Sequence, residues 1–167
     1  SHAMIDELTK AYNRRYFDYE MSRLVKHCDA FDKTFTLALV DLDYFKTYND
    51  NNGHVNGDIA LIETVRIFHA LVPKGASVCR YGGEEFAIIF PDFSFEQTRT
   101  VMEAIRTAVF DYRFVNEKSQ PGGRLTISCG IACFGECKTE KEILQNADKM
   151  LYLAKRNGRN RVEVCDN

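Results

Sequence analysis

Four acidic side chains lie at the ends of apolar runs in this sequence, two after one run and two after a glycine pair. Asp41 and Asp43 follow the run FTLALV, and Glu84 and Glu85 follow the glycines. Carboxylate oxygens are the ligands that hard divalent cations such as Mg²⁺ prefer. Two carboxylates that converge on one point repel each other unless a cation lies between them. A divalent metal site is therefore one hypothesis for these acids.

The glycine pair Gly82-Gly83 separates two strand-like runs and so predicts a β-hairpin. Glycine takes the positive φ of a primed hairpin turn without strain. Acids on a hairpin rim have a second interpretation, as solvated charges that prevent edge-to-edge pairing of strands. Successive strand residues point to opposite faces, so Glu84 and Glu85 are expected to diverge and to serve separate purposes. From the hairpin alone, the two interpretations stay equally open.

Asp41 and Asp43 point the same way along an extended backbone, with the Leu42 carbonyl between them. Together they form a set of oxygen ligands for a hard cation. Asp43 also fits the N-cap of the next helix, which makes Asp41 the better metal candidate. Lys46 lies one helical turn past the acids, where it could meet an anion held by the same metal, although a lone lysine is more often a surface residue.

The chain has 167 residues, of which 45% are hydrophobic and 28% charged, an ordinary composition for one globular domain. A net charge of -2 gives no bulk electrostatic basis for binding nucleic acid. No apolar run reaches membrane-spanning length, and no secretory signal opens the chain. We expect residues 1–3 to be a cloning remnant and residues 4–167 to form one cytoplasmic domain of a longer protein, which could itself be membrane-bound. We expect no nucleic-acid partner and no membrane contact by this domain.

Six cysteines raise a metal cluster as an alternative, because Cys129, Cys133 and Cys137 recur at every fourth residue. Cys129 and Cys133 fall on one face of a predicted strand, and no CxxC pair or nearby histidine completes a zinc set. Reduced, buried thiols are the favoured interpretation.

The periodicity of apolar residues predicts the elements that position the acids. A helical pattern runs from Asp6, its predicted N-cap, to about Cys28. The run FTLALV predicts a strand buried on both faces. The asparagine-rich residues 49–53 predict a loop, after which Asp58 opens another helix.

Four further elements follow the hairpin. They are a helix from Ser94 or Glu96, a strand over residues 124–134 with Thr126 and Ser128 on one face, a helix from Thr139 to the stop at Gly158, and an edge strand over residues 161–164.

From residue 35 onward the order of elements is β-α-β-β-α-β, followed by a helix and a strand. This order predicts an α+β fold, with a ferredoxin-like, palm-type core, the antiparallel GGEEF hairpin, and a C-terminal helix with an edge strand. In that topology the first strand lies beside the hairpin, and Asp41 and Glu84 can meet across neighbours about 5 Å apart. Their proximity favours metal binding over edge protection for the hairpin acids.

Five motifs then give a specific resemblance to the GGDEF domain, the catalytic domain of diguanylate cyclases. In chain order they are DELTKAYNRR, LVDLDYFKTYNDNNGHVNGD, RYGGEEF, TISCGIA and NADKMLYLAKRNGRNRV. The resemblance covers residues 6 to about 162. A lone GGEEF would be weak, whereas five motifs in the order and spacing of the family are specific.

The resemblance implies the condensation of two GTP molecules into cyclic di-GMP and two pyrophosphates. Each domain would hold one GTP with two magnesium or manganese ions. Two domains would face each other in a transient antiparallel homodimer, so that the ribose 3′-hydroxyl in one half attacks the α-phosphate in the other.

The resemblance also implies roles for individual residues. Asp41, the Leu42 carbonyl and Glu84 match the metal ligands, and Glu85 matches the residue that deprotonates or orients the attacking hydroxyl. The positions that match substrate contacts are Phe45, Lys46, Lys155 and Arg159 for the phosphates, Asn49 and Asp58 for guanine, and Gly82 and Gly83 for close approach of the backbone. Without the resemblance, Lys155 and Arg159 are ordinary cations at a helix C-terminus.

Two departures from the family pattern lie outside these residues. Where the family usually has LTGL, the chain has a lysine, Lys10, in place of the glycine, so the N-terminal turn is expected to pack differently. Many members carry an Arg-x-x-Asp product-inhibition site, which is matched here by Pro73-Lys74-Gly75-Ala76. We therefore expect no tight binding of cyclic di-GMP at that position. Asp58 implies a preference for GTP, because similar enzymes that make hybrid dinucleotides carry a smaller residue there.

Two other functions stay under consideration. A catalytically silent GGDEF module would bind nucleotide or dimerise without turnover, but such modules usually lose a glycine or an acid of the hairpin. Another palm-like nucleotidyl transferase would share the acid at the first strand end but not the GGEEF hairpin. The chain has every matched residue, which favours an active diguanylate cyclase.

Overall fold

The computed structural model describes residues 2–135 and 137–165. Ser1 of the expected remnant, and residues 136, 166 and 167 of the expected domain, lie outside the described residues. The helices and strands within the described ranges are α1 (Arg14–Phe31), β1 (Phe35–Leu42), α2 (Phe45–Leu71), β2 (Ser77–Arg80), β3 (Glu85–Pro91), α3 (Phe95–Asp111), β4 (Ile127–Cys133), α4 (Glu140–Arg156) and β5 (Arg161–Val164). Short 3-10 turns lie at His2–Met4, Glu117–Ser119 and Pro121–Gly123.

The five strands form one sheet in the order β2-β3-β1-β4-β5. β1 is central and pairs antiparallel with both β3 and β4, while β5 adds to the edge in parallel with β4. β2 and β3 form the antiparallel hairpin. The predicted α+β fold, with a ferredoxin-like core, a C-terminal helix and an edge strand, is confirmed.

All eight residues of β1 are buried, as predicted for a strand covered on both faces. Ala38 and Val40 pack into the core beneath α2 and α3. Leu37 and Leu39 pack into a second core beneath α1 and α4. The alternation of side chains along β1 therefore joins three layers, with two helices on each face of the sheet.

Gly130 lets α4 lie directly against β4. A Cβ at this position would lie 2.2 Å from the Leu151 nitrogen and 2.3 Å from the Ala147 carbonyl oxygen. Both of these atoms belong to the α4 backbone, so no side chain could yield to make room. The close contact brings the C-terminal end of α4 to the end of β1 that carries the acids.

The first helix begins at Arg14, so the prediction that Asp6 is its N-cap was wrong. Asn13 is the N-cap, and its Oδ1 accepts from the Tyr16 amide at 3.1 Å. The Asp6 carboxylate instead accepts from the amide and the hydroxyl of Thr9, at 3.0 and 2.6 Å. A short aspartate side chain can satisfy a local turn in this way as readily as a helix terminus.

Lys10 has a φ of 65°, in the left-handed region that favours glycine. The turn around it is closed by a 2.9 Å bond from the Lys10 amide to the Asp6 carbonyl, and by a 2.8 Å bond from the Asp6 amide to the Ala11 carbonyl. A lysine therefore adopts a glycine-type conformation at the position where the family usually has glycine.

The asparagine-rich stretch is helical, so the predicted loop over residues 49–53 was wrong, as was the helix start at Asp58. α2 runs through it with one break, at Gly53, where φ is 82° and ψ is 163°. The Asn52 and Asn56 amides donate to helix carbonyls four residues earlier, at 3.0 and 3.1 Å. These side-chain bonds give partners to two carbonyls that precede the break, and Tyr48 in the first half of the helix is buried.

Cys129 and Cys137, the first and last thiols of the alternative metal cluster, do not converge. Cys129 lies in the core beneath α2 and α3, and Cys137 lies in the core on the other face of the sheet. The sheet separates the two thiols, which contradicts a shared cluster. No helix in the described part of the chain is long and apolar enough to cross a membrane.

Candidate active site

The GGEEF hairpin turns through residues 81–84, between β2 and β3. The amides of Tyr81 and Gly82 both donate to the Glu85 carbonyl, at 2.8 and 3.1 Å. Neither Gly82 nor Gly83 has a positive φ, so the predicted primed turn was wrong. A four-residue connection reverses the chain instead of a tight two-residue turn. A Cβ at Gly83 would meet nothing within 4 Å, and one at Gly82 would meet only the Glu85 Cβ, at 3.9 Å. The glycines leave open space beside the turn, where a ligand can approach the backbone.

Arg80 ties this turn to the N-terminal turn. Its Nε and Nη2 donate to the Gly83 carbonyl at 3.0 and 2.9 Å, and its Nη1 contacts the Asp6 carboxylate at 3.3 Å. Burial opposes ionisation of Asp6, but the Thr9 hydrogen bonds and the Arg80 charge outweigh it, so the pKa of Asp6 is lowered. The Arg80 guanidinium therefore holds the Gly83 carbonyl and is itself held by Asp6, which lies outside the hairpin.

The hairpin acids lie against the end of β1. Asp41 stands opposite Glu85 on β3 and opposite Ser128 on β4. The Leu42 amide donates to the Glu84 carbonyl at 3.3 Å. The predicted juxtaposition of the strand end and the hairpin is confirmed, although the residue paired with Asp41 is Glu85 rather than Glu84. Glu85 is exposed on the rim, whereas Glu84 is half-buried in the turn.

The Asp41 carboxylate is buried, with 7% of the residue exposed. Lys155 donates to its Oδ2, and its Oδ1 is buried without a hydrogen-bond partner among the described residues. Burial raises the pKa of Asp41 from the ordinary 3.8 to about 6 against the opposing attraction of Lys155, and the charges of Glu84 and Glu85 raise it further. A buried carboxylate oxygen without a donor is an open ligand position.

The local charges fit a divalent cation. The carboxylates of Asp41, Glu84 and Glu85 lie near one another at this end of β1, and Lys155 donates to the first of them. No group of three or more His, Cys, Asp or Glu side chains in the described ranges is arranged to hold a metal. The predicted ligands at this end of β1, the carboxylates of Asp41 and Glu84 and the Leu42 carbonyl, are all oxygen donors, the type that Mg²⁺ and Mn²⁺ accept.

Asp43 is fully engaged by the protein, and its predicted role as an N-cap was wrong. Its carboxylate accepts from the Thr126 and Ser128 hydroxyls at 2.7 and 2.6 Å, and from the Asn160 amide at 3.0 Å. These bonds join the ends of β1 and β4 to the segment that follows α4. The N-cap position of α2 is Tyr44, which makes no side-chain capping bond.

Tyr44 holds Arg159, a contact that sequence reasoning missed. The Arg159 guanidinium lies 4.3 Å from the centre of the Tyr44 ring, and its Nη1 donates to the Tyr44 hydroxyl at 3.1 Å. Gly158, Arg159 and Asn160 have φ values of 118°, 64° and 45°, so the chain reverses sharply there. An exposed tyrosine at a helix start carries no sequence signal for such a contact.

The other predicted phosphate contacts differ in how they are held. The Lys46 side chain is 90% exposed and contacts Asp50 at 3.4 Å, so it can reorient easily. The Phe45 side chain is buried and stacks on Tyr48 with ring centres 6.2 Å apart. Only the main chain of Phe45 is available to a ligand.

Asn49 and Asp58 lie on either side of the break in α2. Asn49 Oδ1 is buried and has no hydrogen-bond partner among the described residues, and a Cβ at Gly57 would lie 1.7 Å from it. Gly57, which the sequence analysis did not single out, is the residue that leaves room for this side chain. Asp58 is exposed next to it.

Comparison with known proteins gives a family over almost the whole chain. The family model described as "Diguanylate cyclase, GGDEF domain" matches residues 3–161. The chain is 37% identical over 161 residues to the response regulator PleD of Caulobacter vibrioides, covering 96% of this chain and 36% of PleD. It is 36% identical over 161 residues to the diguanylate cyclase VdcA of Vibrio cholerae, covering 96% of this chain and 46% of VdcA. The chain thus spans less than half the length of these relatives.

A solved structure agrees with the fold. The coiled coil and GGDEF domain of DgcB from Caulobacter crescentus, in complex with c-di-GMP, superposes with a TM-score of 0.90 at 33% identity. The match covers 98% of this chain and 86% of that one.

Proposed function

Because this chain belongs to the GGDEF family of diguanylate cyclases, we propose that it condenses two GTP molecules into cyclic di-GMP and two pyrophosphates. The observation that carries the proposal is the buried Asp41 carboxylate beside the GGEEF turn, with Lys155 on one oxygen and no partner on the other among the described residues. A buried carboxylate in this state is costly for the fold and useful for binding a cation.

Asp41, the Leu42 carbonyl and Glu84 would hold the magnesium or manganese ions, two for each GTP. When bound, the ions supply positive charge that neutralises the triphosphate and the charge that develops on the α-phosphorus. The unpartnered Asp41 Oδ1 and the nearby carboxylates of Glu84 and Glu85 support this assignment.

The triphosphate would lie along the same end of β1. Lys155 reaches Asp41, and Arg159 is held on Tyr44 at the start of α2, so the two cations flank the strand end. Lys46 and the main chain of Phe45 would complete the contacts. Arginine supplies a planar fork and lysine a compact point charge, and both suit phosphate oxygens.

Glu85 would orient the attacking 3′-hydroxyl and accept its proton. Glu85 is exposed although it stands opposite the buried Asp41, which supports a role toward a second nucleotide rather than toward the buried ligand position. The 3′-oxygen forms a bond to the α-phosphorus, the bond from that phosphorus to the bridging oxygen breaks, and pyrophosphate leaves. A second, identical transfer closes the ring, which requires two domains that face each other in an antiparallel dimer.

Asn49 and Asp58 would read guanine. The unpartnered Asn49 Oδ1 and the exposed Asp58 carboxylate are acceptors, and guanine offers N1–H and N2–H donors where adenine does not. Unpaired buried polar groups discriminate strongly between substrates. We propose a strong preference for GTP, and comparable turnover of ATP would contradict it.

Cyclic di-GMP would bind weakly at the position of the family's inhibitory site. Residues 73–76 form a tight turn, in which the Ala76 amide donates to the Pro73 carbonyl at 3.1 Å, and they contain neither arginine nor aspartate. Titration of the protein with cyclic di-GMP is the measurement. Submicromolar binding that disappears in a Lys74→Ala variant would contradict this part of the proposal.

The test of the function compares Glu84→Gln with Asp29→Asn, an exposed carboxylate near the C-terminal end of α1. Both variants and the wild type are incubated with GTP and MgCl₂, and cyclic di-GMP is separated by chromatography. We expect Glu84→Gln to lose about 100-fold or more in rate, since it removes a charged metal ligand, and Asp29→Asn to match the wild type. Retained activity in Glu84→Gln would refute the metal assignment. No product from the wild type at high protein concentration would favour the silent module.

A further inference from the structure

A buried glutamine side chain bonds to the turn between β1 and α2, which consists of Asp43 and Tyr44 and is called the β1–α2 turn below. Gln120 is 4% exposed, and its Nε2 lies 3.1 Å from the Tyr44 carbonyl and 3.4 Å from the Asp43 carbonyl. One side-chain amide therefore bridges both carbonyls of the turn. Gln120 is 76 residues away from Tyr44 along the chain, so this support is purely tertiary.

The β1–α2 turn is a place where the backbone needs support. Tyr44 has φ 54° and ψ 37°, a left-handed conformation that is unfavourable for a residue with a Cβ. No side chain caps α2 at this position. The Tyr44 carbonyl accepts the first hydrogen bond of the helix, from the Tyr48 amide at 3.1 Å. Gln120 thus bonds to the same oxygen at which the helix begins.

The donor end of Gln120 is the end that the fold uses. Both partners are carbonyl oxygens, which accept only, and Gln120 Oε1 is buried without a partner among the described residues. Burial of an unsatisfied acceptor is unfavourable, so the two donor contacts are what holds the side chain in place. A carboxylate of the same shape would face the two carbonyls with like partial charge.

Gln120 is itself fixed. Its main-chain amide donates to the Glu117 carbonyl at 2.8 Å, and its main-chain carbonyl accepts from the Gly123 amide at 2.8 Å. Buried Glu117 in turn accepts from the Leu125 amide at 3.3 Å and pairs with Arg124 at 3.6 Å. The side-chain amide of Gln120 therefore belongs to a segment that is held in place just before β4.

We propose that Gln120 is a positioning residue of the nucleotide site. Its amide fixes the β1–α2 turn, the Tyr44 ring and hydroxyl then hold Arg159, and the first turn of α2 is set for the phosphates. Gln120 contacts no substrate and acts through Tyr44. The inference rests on the proposed function for the identity of the ligand, but not for the geometry of the turn.

The test uses Gln120→Met, which keeps the length and removes the donor, and Gln120→Glu, which keeps the shape and reverses the polarity. Interactions made equally in the ground and transition states affect KM more than kcat, so we expect KM for GTP to rise about 10-fold in Gln120→Met while kcat changes less than about threefold. Gln120→Glu should raise the KM for GTP more than Gln120→Met does. Exchange of the Tyr48 amide proton, measured by NMR, should accelerate by about 10-fold, because its acceptor is no longer fixed.

Thr64→Val is the matched control. Thr64 is buried in α2, and its hydroxyl donates to the Ala60 carbonyl at 2.8 Å, away from the β1–α2 turn. This variant should lose stability without a change in KM or in exchange of the Tyr48 amide. A KM for Gln120→Met within twofold of the wild-type value, or equal shifts in Gln120→Met and Thr64→Val, would overturn the proposal.

A direct binding measurement separates this inference from the proposed function. The Kd of GTP with MgCl₂ is measured for the wild type and Gln120→Met, together with exchange of the Tyr48 amide. If the wild type makes no cyclic di-GMP, a weaker Kd and faster exchange in Gln120→Met still support the positioning role. Unchanged Kd and unchanged exchange overturn that role, whatever the wild type synthesises.

Discussion

Asp41 is the residue whose state in the fold is hardest to explain without a ligand. Its carboxylate is buried, and burial raises its pKa to about 6 although Lys155 donates to one oxygen. A fold selected only for stability would place an amide or an apolar side chain there. The cost is typical of residues kept for chemistry.

The first prediction concerns the stability of Asp41→Asn as a function of pH. The folded-state pKa of Asp41 lies above its ordinary value of 3.8, so the protonated side chain stabilises the fold. This stabilisation is fully present below pH 3.8 and is lost as the pH rises through about 6. Between pH 4.5 and 7.5, the wild type should therefore lose about 2 kcal/mol of unfolding free energy relative to Asp41→Asn. Thermal unfolding of both proteins in EDTA at the two pH values is the measurement.

Asp29→Asn, on the exposed surface of α1, controls for the removal of one carboxylate. A difference between wild type and Asp41→Asn that stays constant between the two pH values would show that burial does not perturb Asp41.

The second prediction concerns Lys10, whose φ is 65°. A left-handed residue with a Cβ costs about 1 kcal/mol, and glycine recovers part of this at an entropic cost of its own, so Lys10→Gly should raise the unfolding free energy by roughly 0.5 kcal/mol. Lys26→Gly, within α1, is the matched control and should lower it by about 1 kcal/mol. Denaturant unfolding of both variants decides the matter, and equal destabilisation by both would contradict the strain at Lys10.

At the residue scale, the sequence predicts a functional role only for residues whose neighbours along the chain make their type unusual. Asp41 stands out because it directly follows a buried apolar run, and Glu84 and Glu85 stand out because they follow a glycine pair at a predicted hairpin. Tyr44 and Gln120 do not stand out, because an exposed tyrosine and a glutamine between turns have many ordinary roles. Their contacts depend on which distant segments the fold brings together.

At the scale of elements, the site is made by the register of β1 with β3 and β4. The run FTLALV and the order of elements predict a buried β1 beside the hairpin, but they do not predict the register that sets Asp41 opposite Glu85. The predicted boundaries were wrong where polar side chains satisfied the backbone locally. Asp6 bonds to Thr9 in a turn, and Asn52 and Asn56 extend a helix through a stretch with loop-like composition. Residue composition indicates that such side chains tend to bond to the main chain, but it does not predict which main-chain group each of them bonds to.

The third prediction contrasts two glycines in different elements. A Cβ at Gly83 would meet nothing within 4 Å, whereas one at Gly130 would lie 2.2 Å from the α4 backbone. Gly83→Ala should fold with nearly unchanged stability and lose activity, because the methyl group occupies the space left for the nucleotide. Gly130→Ala should unfold at least about 3 kcal/mol more easily, since a packed backbone must move. Full activity of Gly83→Ala would show that the open space beside the turn is not used by the substrate.

At the scale of the whole molecule, the proposed function makes the described site half of a reaction centre. The buried ligand position, Lys155 and Arg159 lie together at one end of the sheet, while Glu85 is exposed on the rim of the same end. Two nucleotides must react, and one chain supplies one set of these residues. Sequence motifs predict this composition of the site, but they do not predict how tightly two copies associate, which depends on exposed surfaces rather than on motifs.

Formation of cyclic di-GMP as a function of protein concentration tests the central claim most directly. Wild-type protein is incubated with saturating GTP and MgCl₂ over a wide concentration range, and cyclic di-GMP and pyrophosphate are quantified. We predict cyclic di-GMP with two pyrophosphates for each molecule formed, at a rate per protomer that rises with protein concentration until the dimer is saturated. A rate per protomer that is already constant while the protein is monomeric by mass, or no cyclic di-GMP at any concentration, would contradict a shared site of two GTP-bearing domains.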